Sequence, residues 1–186
     1  MTEAHDHARA NAQKFQHELF DLLRIPSFST DPTHKDDMQL AAQWVADNLI
    51  HSGLTSAQVM KTEGHPVVFG EWSGAPAGVP TVLVYGHYDV QPAKMIDGWS
   101  RDPFAPAIVN DMIMARGASD NKGQVVAHMK AAESLLASGI CPVNLKYLIE
   151  GEEESGSANL DAFIVANLEL LAADICLISD TTMESM

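Results

Sequence analysis

Residues 81–92 read TVLVYGHYDVQP, and the first five of them decide the fold. TVLVY is continuously apolar or β-branched, the pattern of a strand covered on both faces rather than on one. Gly86 closes it, and polar chemistry follows at once in His87, Tyr88 and Asp89. The run ICLIS at 175–179 has the same character, and strand-length β-branched runs also occupy 67–72 and 143–149. Between these runs the period changes from two to about 3.6. A helix is predicted over 122–138, with Val125, Met129, Ala132 and Leu136 on one face and Gly139 closing it. A weaker helix is predicted over about 160–171. Upstream, Ala12, Phe15, Leu19 and Leu22/Leu23 mark an amphipathic helix over 8–23 that ends before Pro26. Another, over about 37–52, buries Ala41, Trp44, Val45 and Leu49 and stops at Gly53. Strands alternating with helices predict an α/β three-layer sandwich around a mixed, mostly parallel sheet.

Composition narrows the function classes. The chain has 186 residues, 46% of them hydrophobic and 19% charged, which is globular rather than disordered. Eleven Lys+Arg against 25 Asp+Glu give a net charge of −14, so phosphate backbones are repelled and no nucleic-acid partner is expected. No apolar run approaches the ~20 residues of a membrane span, and MTEAHDHARANAQ lacks the basic and apolar regions of a signal peptide. No membrane partner is expected. Cys141 and Cys176 make no disulfide framework and read as small core fillers, which suits a cytoplasmic location.

In open α/β sheets ligands gather beyond the carboxyl ends of the strands. Polar residues stand there three times: His87 and Asp89 after TVLVYG, Glu152, Glu153, Glu154 and Ser155 after VNLKYLIEG, and Asp180 after ICLIS. Asp120, in RGASDNKG, opens the 122–138 helix. One imidazole with several carboxylates is a donor set that zinc accepts, at ~2.0–2.2 Å. Three adjacent glutamates repel one another, and a cation among them removes that cost. Each residue alone also has a plainer reading. His87 could be a hydrogen-bonded turn residue, the glutamates a solvated face, Asp120 a helix cap and Asp180 surface decoration. Their coincidence at strand ends favours the metal. The remaining histidines, His5, His7, His17, His34, His51, His65 and His128, read as structural or exposed. A GxSxG elbow, a Walker phosphate loop, a CxxC pair and an HExxH helix are all missing from the sequence.

VYGHYDVQP, ARGASDNKGQ and GEEESGS, in this order and preceded by RIPSFST, resemble the M20 metallopeptidases. That family includes carnosinase-like dipeptidases, aminoacylases, carboxypeptidase G2 and succinyl-diaminopimelate desuccinylase. The form GHYDVQP with RGxSDxKGQ most resembles the dipeptidase-like branch. The resemblance implies a zinc-exopeptidase-like fold and hydrolysis of an amide bond in a small peptide or N-acyl amino acid. It implies two divalent ions, zinc with manganese or cobalt as alternatives. His87 and Asp180 would hold one ion, Glu154 the other, and Asp120 would bridge them. Asp89 would orient His87, as a metal-bound imidazole requires. Glu153 would be the general base that takes a proton from the attacking water. Glu152 receives no role. A cis peptide between Asp120 and Asn121 is implied as well.

The chain also departs from the family. Members are about twice as long or more, close the second metal with a late His, and often insert a dimerising lid domain. Residues 1–186 therefore resemble the N-terminal portion of a truncated catalytic domain, with the lid and the C-terminal part absent. For the full-length form the resemblance admits a homodimer. Met112, in NDMIMARGAS, stands where members usually carry a glycine turn. Two alternatives stay open beside the enzyme. One is a non-catalytic metal-binding remnant. The other is an oxygen-only Ca²⁺ or Mg²⁺ binder, against which His87 argues.

Overall fold

The computed structural model describes residues 2–139 and 141–180. Its sheet has five strands in the order β1-β2-β6-β3-β7. They are β1 (Ser56–Met60), β2 (Val67–Trp72), β3 (Thr81–His87), β6 (Asn144–Glu150) and β7 (Ile175–Ile178). β3 lies parallel to both β6 and β7, whereas β2 pairs antiparallel with β1 and with β6. The sheet is thus mixed, with two parallel and two antiparallel pairings. The parallel half brings the carboxyl ends of β3, β6 and β7 to one edge.

Side-chain alternation along the strands feeds two cores. On one face Val68, Val84, Tyr147 and Ile149 meet helices α3 (Lys35–His51) and α4 (Lys122–Ala137), through Ala41, Val45, Leu49, Val125 and Met129. On the other face Val67, Phe69 and Leu148 meet Phe163 of α5 (Leu160–Ala166) and Leu171 of α6 (Leu168–Leu171). Helices cover both faces, as expected for the three-layer α/β sandwich. Helix α2 (Ala12–Leu23) packs on α4 from outside, after α1 (Thr2–Ala10). A small hairpin, β4 (Ala107–Val109) and β5 (Met112–Met114), precedes the Asp120 loop.

Several expectations shift on contact with the structure. The helix expected over 8–23 is two helices, broken at Asn11, whose amide donates back to the His7 carbonyl at 2.9 Å. The one expected over 160–171 is likewise two, α5 and α6, parted at Asn167. β7 is a strand as predicted, but Ile175, Cys176, Leu177 and Ile178 are all exposed. Its apolar run reports a strand and not a covered one, because it lies at the sheet edge with β3 on one side. Cys176 is therefore no core filler, while Cys141 is buried. The hairpin turn needs no glycine at Met112. Asn110 and Asp111 take the left-handed conformation (φ 51° and 63°), the backbone of a tight hairpin turn, and Met112 opens the next strand.

One charged side chain locks the loops to this frame. Lys122, fully buried at the start of α4, donates its ammonium to the Leu22 and Ile25 carbonyls at 3.1 and 2.6 Å. These carbonyls lie at the end of α2 and just beyond it, so the Asp120 loop is fixed to the N-terminal segment. Burial pulls the Lys122 pKa down to about 7, against the opposing charges of Asp89 and Asp37. Between pH 7 and 10.5 the unfolded chain then holds a proton that the folded chain lacks, and stability rises with pH. We predict that the stability difference between wild type and Lys122→Met grows by up to ~1.4 kcal/mol per pH unit across that window. Urea unfolding of both chains at several pH values measures it, and a difference flat in pH would contradict the assignment.

Candidate metal centre

Register places the site. In the parallel pairs His87 stands opposite Glu150, and Tyr85 stands opposite both Leu148 and Ile178. The chain therefore leaves β3, β6 and β7 at one edge. Glu153 lies three residues beyond the end of β6, and Asp180 lies two beyond the end of β7. The N-terminus of α4 brings Asp120 to the same edge.

His87 is the centre of the cluster and is fully buried. Its Nε2 lies 3.2 Å from Asp120 Oδ1, 3.6 Å from Asp180 Oδ2 and 3.8 Å from Glu153 Oε2. Yet among the described residues Nε2 has no hydrogen-bond partner. One ligand atom each from His87, Glu153 and Asp180 lies within 4.8 Å of the others. Of the four groups Asp120 is the most open to solvent, its side chain 55% exposed. On the far side of the ring, Nδ1 meets the Asp89 carbonyl at 3.0 Å and its Oδ1 at 3.3 Å. Asp89 is itself fully buried, and its second oxygen accepts the Glu154 N–H at 3.1 Å. Glu154 stands beside this cluster, with its carboxylate on Gln91 at 2.9 Å.

The electrostatics follow from this crowding. Burial pulls the His87 pKa down, but the hydrogen bond and charge of Asp89, with Asp180 and Glu153 behind, lift it to about 9. Burial raises the Glu153 carboxyl above its ordinary range. His87 opposes that shift, while Asp180, Glu154 and Asp89 reinforce it. An orphaned imidazole nitrogen facing several carboxylates is a donor set that fits a divalent cation such as zinc, whose ordinary ligands are these groups.

Other residues hold this arrangement and were not singled out from the sequence. Asn121, buried after the cis Asp120–Asn121 bond, accepts the His87 N–H at 3.3 Å. Its amide donates to Asp180 Oδ1 at 3.2 Å and to the Ser179 carbonyl at 3.0 Å. It reaches so close because Gly86 has no side chain: a Cβ there would stand 2.6 Å from Asn121 Oδ1 and 2.7 Å from a Val125 methyl. His128, read as structural, shares a 2.8 Å hydrogen bond with Ser179. Glu152, left without a role, takes the His65 N–H at 3.2 Å and the Asn159 amide at 2.8 Å, tying the turn to a neighbouring loop. Glu150, buried beneath the site, accepts from the Tyr85 and Ser157 hydroxyls. RIPSFST is bound in through Ser27, whose hydroxyl donates to the Tyr88 carbonyl at 2.7 Å.

Comparison with known proteins agrees with this architecture. The sequence model of peptidase family M20/M25/M40 matches residues 83–185, and the chain belongs to that family. It is 34% identical over 172 residues to the cysteinylglycine-S-conjugate dipeptidase of Corynebacterium striatum, covering 91% of this chain and 37% of that protein. The dipeptidase Dug1p from Saccharomyces cerevisiae superposes with a TM-score of 0.89 at 30% identity, over 97% of this chain and 41% of Dug1p. Human carnosine dipeptidase 1 gives 0.90 at 30% identity, over 99% of this chain and 42% of that one. The chain thus spans about two fifths of the length of these three proteins.

The site geometry makes two substitutions informative. We predict that His87→Ala lowers zinc affinity strongly. Asp89→Asn should lower it roughly 10–100-fold, because the imidazole loses the group that orients it. Competition titration against a chromogenic chelator measures both, and equal affinity in all three chains would remove His87 from the site.

Proposed function

We propose that the chain carries a metal-binding N-terminal portion of a hydrolase that cleaves the amide bond of a dipeptide or N-acyl amino acid. The observation that carries this reading is the buried His87 Nε2, unpartnered among the described residues and within 3.8 Å of Asp120, Glu153 and Asp180. His87, Asp120 and Asp180 would hold one divalent ion, and Asp120 with Glu154 a second. The family resemblance suggests zinc, with manganese or cobalt as alternatives. Bound there, such ions polarise a carbonyl and make water acidic near neutral pH.

The remaining chemistry belongs to the chain. Asp89 keeps the imidazole in the tautomer that leaves Nε2 free for a ligand. Glu153, its pKa raised by burial and by neighbouring acids, takes the proton of the attacking water. It then returns that proton to the leaving amine. A carboxyl poised above the usual range can do both, since it neither holds nor loses its proton too firmly. Dipeptide substrates are favoured by the activities named for the relatives.

The reading takes residues 1–186 as the N-terminal portion of a catalytic domain, since they match about two fifths of each relative. The family resemblance admits a homodimer for a full-length form. A cytoplasmic setting accords with two unpaired cysteines, and among the described residues no helix is long and apolar enough to cross a membrane. The partial match also favours a second reading, a metal-binding unit without turnover. On its own this chain has three protein ligands at the first position and two at the second. We therefore predict one tightly bound zinc per chain, a second held more weakly, and little dipeptide hydrolysis. Glu153→Gln should keep the first zinc and abolish any residual turnover. Calorimetry and an amine-release assay test this. A chain that binds no zinc overturns the proposal, and turnover at the usual enzymatic ~1–10³ s⁻¹ overturns its fragment part.

A further inference from the structure

Glu153 and Glu154 are neighbours of one chemical type, yet only one of them is held. Gln91 donates its side-chain amide to the Glu154 carbonyl at 3.0 Å and to Glu154 Oε2 at 2.9 Å. Asp89, two residues earlier in the same loop, accepts the Glu154 N–H at 3.1 Å. The backbone on both sides of Glu154 and its carboxylate are thus fixed by residues of the segment HYDVQP. Among the described residues no side-chain hydrogen bond holds the Glu153 carboxylate, which stays beside His87.

A metal ligand and a proton carrier make opposite demands. A ligand must keep one oxygen aimed at the ion, and partners behind it supply that orientation. A general base must keep its lone pairs available for a moving proton. We infer that Gln91 is a positioning residue: by holding Oε2 of Glu154 it turns the other oxygen toward the second metal position and keeps this carboxylate out of the space that Glu153 uses. The inference rests on the proposed two-ion reading, and it concerns only the second position.

Gln91 is exposed, so Gln91→Met, which keeps the length and removes both donors, should fold as wild type does. The metal-free chain and the variant are titrated with zinc and with cobalt(II) into the millimolar range. Calorimetry and the cobalt absorption bands read the first and second ions separately. We expect an unchanged thermal midpoint, an unchanged first ion and a second ion weakened roughly 10–100-fold. A second ion of wild-type affinity in Gln91→Met overturns the inference. So does a parallel loss of both ions, which is what a merely structural staple would give. A wild-type chain that takes one ion and never a second also overturns it, because Glu154 then holds nothing. A wild-type chain that takes no ion at all refutes the proposed function instead.

Discussion

Everything at this site depends on one buried imidazole that must tolerate a ring of carboxylates. Two like charges 4 Å apart repel by about 4 kcal/mol at an effective dielectric of about 20, several times the net worth of a hydrogen bond. Asp120, Glu153 and Asp180 surround His87 Nε2 within 3.8 Å, and Asp89 lies behind it. Hydrogen bonds alone do not relieve such crowding. A positive charge does, and the metal-free protein supplies one by holding a proton on His87, whose pKa rises to about 9. A divalent cation bound as proposed would supply two charges at the same nitrogen, so the proton on the ring stands where the metal would be.

The fold exists to hold that cluster together against its own repulsion. Parallel pairing sends three strands out at one edge, so His87, Glu153 and Asp180 converge although up to 93 residues separate them in sequence. Fixed points then oppose relaxation. Lys122 ties the Asp120 loop to the end of α2, and Asn121 bridges the His87 backbone to Asp180. Glu152 anchors the acidic turn to the 62–66 loop, and Ser27 anchors the N-terminal segment to Tyr88. Gly86 is part of this scheme, since any side chain there would push Asn121 away.

Much of this was legible in the sequence because strand ends and helix starts are local features. TVLVYG followed by His87 and Asp89, and Asp120 before an amphipathic helix, announce their positions without knowledge of the pairing. What stayed hidden is whatever needs a partner far along the chain. Glu152 with His65 spans 87 residues, Gln91 with Glu154 spans 63, and His128 with Ser179 spans 51. Composition and periodicity carry no trace of such pairs. The exposure of β7 was hidden for a related reason, since an apolar run says nothing about which strands lie beside it. The start of α1, residues 2–7, escaped because TEAHDHARA has no apolar stripe, and Ala4 is its one buried side chain.

The acidic turn shows how one short string can divide labour among identical residues. Glu152, Glu153 and Glu154 differ only in what the backbone turns them toward. The short helical turn at Glu153–Ser155 and the left-handed Gly156 send the three side chains in different directions. One meets the amides of His65 and Asn159, one faces His87, and one meets Gln91. Glu152 meets only N–H donors, whereas burial and the neighbouring acids lift the Glu153 carboxyl above its ordinary range. A triplet that repels itself in an extended chain thus becomes, once folded, an anchor at Glu152 and, in the proposed function, a proton carrier and a ligand at the other two. The distinction lies in the turn and not in the residue type.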